Sequence, residues 1–141
     1  MIRVVDFAPE HLRMLKVQPR QRDTLAILTE EDMELLRSAN AYTVFAGDKP
    51  IICGGVMEIL PWRGLAWSFV AGTLKHVFVH VHRVAKRVVD VAPYPRLEME
   101  VECEFVEGHR WANLLGFELE TARMRKYGPN GLDYARYVRI Q

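Results

Sequence analysis

Residues 109–118 read His109-Arg110-Trp111-Ala112-Asn113-Leu114-Leu115-Gly116-Phe117-Glu118. Residues 107–115 have the makings of a short helix, and Gly116 stands where a helix closes, because glycine takes the left-handed C-cap backbone without a Cβ clash. Phe117 opens an extended stretch to Tyr127. Residues 132–140 follow across Gly128-Pro129-Asn130-Gly131, so the two stretches read as a final hairpin. Upstream, residues 96–105 alternate Leu97, Met99, Val101 and Cys103 with Glu98, Glu100, Glu102 and Glu104. A period of two predicts a strand with one buried and one acidic face.

Residues 73–90 carry two competing periods. Val77, Val79 and Val81 alternate with His76, His80 and His82, yet Leu74, Val77, Phe78, Val81, Val84, Ala85 and Val88 share one helical face. The helical period runs longer, Thr73 offers a cap, and Pro93 and Pro95 close the segment, so the reading is a helix. Three strands are expected before it, at residues 42–46, 50–60 and 65–71, with turns at Gly47-Asp48 and between Pro61 and Gly64. Gly54-Gly55 inside the second of these predicts a bulge or a close backbone approach. At the start, residues 2–7 form a β-branched strand, Pro9 opens a short helix reaching Leu15, and residues 17–23 read as a loop. Thr29 before Glu30, Glu31 and Asp32 marks another helix, with Met33, Leu35 and Leu36 as its apolar side.

With 141 residues, the chain fits one domain, residues 1–141. Half of it is hydrophobic and 26% is charged, which is ordinary globular composition. The formal charge of +1 gives no support for nucleic-acid binding, which wants a strong basic excess on one face. The two cysteines, Cys53 and Cys103, lack metal-binding spacing and are expected to be buried free thiols, in keeping with a reducing cytoplasm. Residues 1–6 carry charges where a signal peptide needs an apolar core, and no apolar run approaches the roughly 18 residues of a membrane span. A soluble cytoplasmic protein is expected. His76 and His80 have a zinc-compatible spacing, but with no third ligand in evidence they read as part of a solvated stripe with Arg83 and Arg87.

The element order is strand, two helices, three antiparallel strands, helix, strand, helix, hairpin. In that order, and in the run from His109 to Glu118 ending in a hydrophobic residue and Gly-Phe, the chain resembles the GNAT-type N-acyltransferases. In general appearance it is similar to the small acetyltransferase-like proteins of short-tailed phages, which would place it in a host cytoplasm. The resemblance implies an α+β fold: a mixed, mostly antiparallel sheet with two central splayed parallel strands and about four helices. It implies a coenzyme A or acetyl-CoA cofactor, whose pantetheine arm would pair with the strand edge opened by the splay. The pyrophosphate would meet the start of the following helix, where free amides and the dipole favour an anion. Carried onto this chain, the cofactor-binding residues are Phe69, Val70, Ala71, Gly72, Thr73, Leu74 and Lys75, with Asn113 on the short helix.

The chain also departs from the pattern. A glycine-rich loop led by glutamine or arginine is reduced to Ala71-Gly72-Thr73, and Ala112 stands where a tyrosine would protonate the departing thiolate. Glu58, near the end of the third strand, is the candidate base, and Tyr134, or Tyr137, is the candidate acid. For the glutamates of residues 96–105, ion pairs with Arg123, Arg125, Arg136 and Arg139 compete with a catalytic role. Two functions stand against each other. One is acyl transfer from acyl-CoA to an amine or protein acceptor. The other is a non-catalytic protein-binding or virion-assembly module, with a homodimer or a host or virion protein as partner.

Overall fold

The computed structural model describes residues 1–38, 40–72, 74 and 76–141. Seven strands form one sheet: β1 (Ile2–Asp6), β2 (Tyr42–Ala46), β3 (Lys49–Leu60), β4 (Arg63–Val70), β5 (Arg96–Glu102), β6 (Glu118–Met124) and β7 (Tyr134–Ile140). Their order is β1-β2-β3-β4-β5-β7-β6. The helices are α1 (Pro9–Met14), α2 (Arg22–Ala26), α3 (Glu30–Leu35), α4 (Phe78–Val91) and α5 (Val106–Leu114). Contacts divide the chain into two compact units, Met1–Met57 with Trp67–Ala92, and Glu58–Ala66 with Pro93–Gln141.

In the first unit β1, β2 and β3 pair antiparallel, with an irregularity between Val44 and Phe45. The turn joining β2 to β3 uses Gly47 at φ 64°. Gly54 and Gly55 mark a close approach. A Cβ on Gly54 would lie 2.7 Å from the Tyr42 hydroxyl oxygen, and one on Gly55 would lie 2.8 Å from the Cα of Ala41. Beneath them Phe7, Leu12, Leu15, Leu36, Ala41, Cys53 and Phe69 form a buried cluster. Segment 17–23, expected as loop, contains a 3₁₀ turn and then α2, a helix too short to display a periodic face. At α3 the cap is reciprocal: the Asp32 amide donates to Thr29 Oγ1 (3.1 Å), and the Thr29 amide donates to Asp32 Oδ2 (2.9 Å). α4 is a helix, as its longer period predicts, and buries Val81, Ala85 and Val89.

In the second unit β4 and β5 run parallel, with Arg63↔Arg96, Gly64↔Leu97 and Leu65↔Glu98 in register. Gly64 is therefore a strand residue and not part of the preceding turn. The ladder stops at Leu65↔Glu98, although β4 continues to Val70 and β5 to Glu102. That is the central splayed parallel pair. β7 lies antiparallel along the whole of β5, and β6 pairs with β7 at the edge. The stretch 109–118 closes α5 as a Schellman motif. Gly116, at φ 90°, donates to Asn113 O (3.0 Å), and Phe117 donates to Ala112 O (3.0 Å). Phe117 is then carried into the core at 3% exposure.

Candidate functional site

Among the described residues, the candidate cofactor residues of β4 offer backbone, not side chains. Phe69 and Val70 are buried. The Ala71 amide donates to Ile51 O of β3 (2.9 Å). Backbone groups alternate edges along a strand, so Ser68 and Val70 present theirs on the edge away from β3. That edge is occupied. The Val70 amide donates to Gln21 Oε1 (2.9 Å), Gln21 Nε2 donates to Ser68 O (2.7 Å), and the Gln18 amide donates to Val70 O (2.8 Å). Val17 adds an antiparallel bridge to Ala71. Sequence reading missed both glutamines because a side-chain amide (Gln21) or a lone backbone amide (Gln18) that pairs with a strand more than forty-five positions away leaves no periodic signal. On the same strand Trp67 Nε1 is buried without a hydrogen-bond partner, while its ring packs edge-on to Phe7 at 5.3 Å.

The connection after β4 differs from expectation. α4 begins at Phe78 with Val77 as its N-cap, so the helix opens there and not at Thr73. Residues 71–77 separate β4 from α4, so the connection is not shortened to Ala71-Gly72-Thr73. What it lacks is glycine, with Gly72 alone in that stretch. Gly72 is an exposed bend, Leu74 is half-buried, and His76 and Val77 form a turn. Thr73 and Lys75 lie outside the described residues.

Glu58 and Tyr134 do not converge. Tyr94, just ahead of β5, donates its hydroxyl to Glu58 Oε1 (3.1 Å), which ties Glu58 to the Arg96 end of that strand. Partial burial, then the neighbouring Glu58 carboxylate, raises the Tyr94 pKa. Tyr134 stands opposite Glu102, at the far end of β5. The rise from Arg96 to Glu102 is roughly 20 Å at about 3.3 Å per residue, so the two cannot serve one reacting centre. Tyr134 is half-buried, with the Tyr127 ring at 6.0 Å. Tyr137, the other phenol, is engaged. Nε2 of His109 faces the carbonyls of Glu102 (3.2 Å) and Cys103 (3.0 Å) and must carry the proton, so Nδ1 accepts from the Tyr137 hydroxyl (2.7 Å). Asn113 is exposed on α5.

The acidic alternation of β5 is mostly structural. Cross-strand register puts Leu97, Met99 and Val101 on one face with Arg139, Tyr137 and Ala135, and Glu98, Glu100 and Glu102 on the other with Val138, Arg136 and Tyr134. Arg136 donates to Glu100 (2.8 Å), the pairing expected from the sequence, and Tyr127 also donates to Glu100. Arg123 instead bonds Asp133 (2.6 Å), and Arg139 donates to Leu115 O (2.9 Å). Glu98 is the most enclosed residue of this face, at 3% exposure, beside the half-buried Glu100 and Glu102. Arg96 Nε donates to its Oε2 (2.7 Å), and Arg63 Nε lies 2.9 Å from the same oxygen but off the hydrogen-bond direction. Burial pushes the Glu98 pKa up, and Arg96 and Arg63 outweigh it, so the carboxyl stays below the ordinary glutamate range.

The thiols part company. Cys53 is fully buried, and burial pushes its pKa up to about 12. Cys103 is only half-buried, in the turn after β5, where its thiol donates to Ala122 O (3.5 Å). The alternation that predicted a buried Cys103 ends with β5 at Glu102. A thiol reagent should therefore modify Cys103 at least tenfold faster than Cys53 in the native protein. Mass-spectrometric mapping of the first-labelled site checks this, and equal rates would contradict it.

No group of three or more metal-ligating side chains is found among the described residues, and no helix there is long and apolar enough to cross a membrane. No protein-family profile and no curated protein matches the chain. Solved structures do. Ard1 from Thermoplasma volcanium superimposes with a TM-score of 0.75 at 13% identity, over 99% of this chain and 97% of that one. The ribosomal-protein-S5-alanine acetyltransferase of Vibrio fischeri gives 0.71 at 15% identity, over 99% and 92%. A GNAT-family acetyltransferase from Bacillus anthracis gives 0.67 at 12% identity, over 99% and 94%. At such identities the likeness is one of fold, and this chain has the fold of the GNAT-family acetyltransferases.

Proposed function

We propose that this protein is an acyl-CoA-dependent N-acyltransferase, moving an acetyl group onto an amine. The observation that supports it most is the parallel β4–β5 pair whose ladder ends at Leu65↔Glu98 within a sheet of this order. In this reading the pantetheine arm lies along Phe69, Val70 and Ala71 and pairs with the Val70 backbone groups, which face away from β3. The pyrophosphate lies against Gly72, Thr73, Leu74 and Lys75, and Asn113 contributes from α5. The amine attacks the thioester carbonyl, an N–C bond forms, the C–S bond breaks with coenzyme A leaving as its thiolate, and Glu58 takes the proton the amine releases. Tyr94 holds the Glu58 carboxylate, and Tyr134 takes no step at that centre. A protein amine is the simplest acceptor class, since the name of the Vibrio fischeri enzyme states such an acceptor for that protein. Free thiols suit a reducing cytoplasm, in a bacterial host if the gene is a phage's.

Calorimetry with coenzyme A and acetyl-CoA tests the reading. Micromolar binding is expected, and no heat at millimolar ligand, from the wild type or from variants that free the β4 edge, would overturn it. Lys75→Ala should weaken binding roughly 10- to 150-fold, the worth of one charge-assisted contact. A second reading, a non-catalytic protein-binding or virion-assembly module, has one observation in its favour: Gln18 and Gln21 already fill the β4 edge. It predicts no coenzyme A binding at all.

A further inference from the structure

We propose that residues 17–21 are a built-in plug on β4, which must leave before an acyl-CoA can enter; this rests on the acyltransferase reading above. The Gln21 side chain presents one acceptor and one donor, the same pair that a secondary amide in an extended ligand presents. It spends both on β4, accepting from the Val70 amide at 2.9 Å and donating to Ser68 O at 2.7 Å. The Val70 amide has a single proton. A pantetheine amide can accept it only when Gln21 has gone, so occupancy by plug and ligand is mutually exclusive.

The plug holds itself in shape. Gln18 Nε2 donates to Gln21 Oε1 (3.0 Å), the Gln21 amide donates to Gln18 O (3.0 Å), and Pro19 opens the 3₁₀ turn between them. Its apolar anchorage is light. Pro19 and Arg20 are exposed, Gln18 and Gln21 are half-buried, and Val17 packs against the apolar cluster. Release therefore gives up mainly polar contacts, which water can replace. An equilibrium between plugged and open forms lowers apparent affinity by the fraction open.

Two variants separate the plug from the site. Gln21→Ala removes the side-chain pair. Gln18→Pro removes one bond to β4, from its amide to Val70 O at 2.8 Å, together with the Gln18 Nε2–Gln21 Oε1 bond inside the plug, and Gln18 already has φ −59° and ψ 150°, which proline accepts. Neither residue belongs to the proposed catalytic or cofactor set. At about a factor of five per hydrogen bond, Gln18→Pro should bind coenzyme A about 5-fold more tightly than the wild type, and Gln21→Ala about 10- to 25-fold. Hydrogen exchange at the Val70 amide should quicken in Gln21→Ala without ligand. Calorimetry on all three proteins, with thermal melts to confirm folding, decides it. Wild-type binding with equal or weaker binding in the folded variants overturns the plug and leaves the acyltransferase reading standing. No binding by any of the three at millimolar coenzyme A overturns both. If Gln21→Ala fails to fold, Gln18→Pro carries the decision alone.

Discussion

Leu97→Ala should melt roughly 10 °C below the wild type. Leu97 is 0% exposed on β5 and is paired on both sides, to Gly64 in parallel and to Arg139 antiparallel. Truncation loses the transfer free energy of the removed carbons and leaves a cavity, about 3 kcal/mol together. A strand held by ladders on both edges cannot collapse into the space, so little of that loss is recovered. For a domain of this size each kcal/mol moves the midpoint by about 3–4 °C. Calorimetric or circular-dichroism melts measure it, and a shift under about 3 °C would mean that the site relaxes.

The neighbouring substitution, Glu98→Gln, should cost about 2–3 kcal/mol. Breaking a fully buried pair costs about 3–5 kcal/mol, and the lower figure applies because Arg63 and Arg96 keep 33% and 29% of their side-chain surface in water. Glutamine keeps the shape and removes the charge that both guanidinium groups face. The pH dependence has a definite sign. The folded Glu98 pKa lies below its ordinary value of 4.5. Its stabilisation is therefore complete above pH 4.5 and is lost as pH falls through the folded value. The gap between wild type and variant should be widest near neutrality and should narrow below pH 4.5. Asp133, also held below the ordinary carboxylate range, titrates in both proteins and cancels in that difference, whereas Glu120 shares Arg96 with Glu98 and offsets part of the narrowing. A gap that widens on acidification would overturn the ion-pair account.

These two residues divide the protein's legibility. The burial of Leu97, Val101, Val81 and Ala85 is readable along the chain, because period two and period 3.6 are local consequences of backbone geometry. The cap at Thr29 and the closure at Gly116 are equally local, each satisfying backbone groups within a few residues. Hence the element order, and with it the fold, is largely present in the sequence. The start of α4 is not, since the apolar face runs back through Leu74 while the helix opens only at Phe78.

The candidate site was less legible. Glu58 reads as a plausible base from its place at a strand end, but its partner Tyr94 lies 36 positions away. Glu58 and Tyr134 look equally eligible until register sets them at opposite ends of β5. By itself the sequence determined which segments are strands and helices and which faces they bury, because these follow from interactions spanning one or two turns of chain. Only the tertiary structure decided that Glu98 is enclosed by Arg63 and Arg96, that Cys103 escapes the core, and that Gln21 lies on β4. Each of those depends on which distant backbone arrives beside it, and a polar side chain carries no periodicity that names its partner.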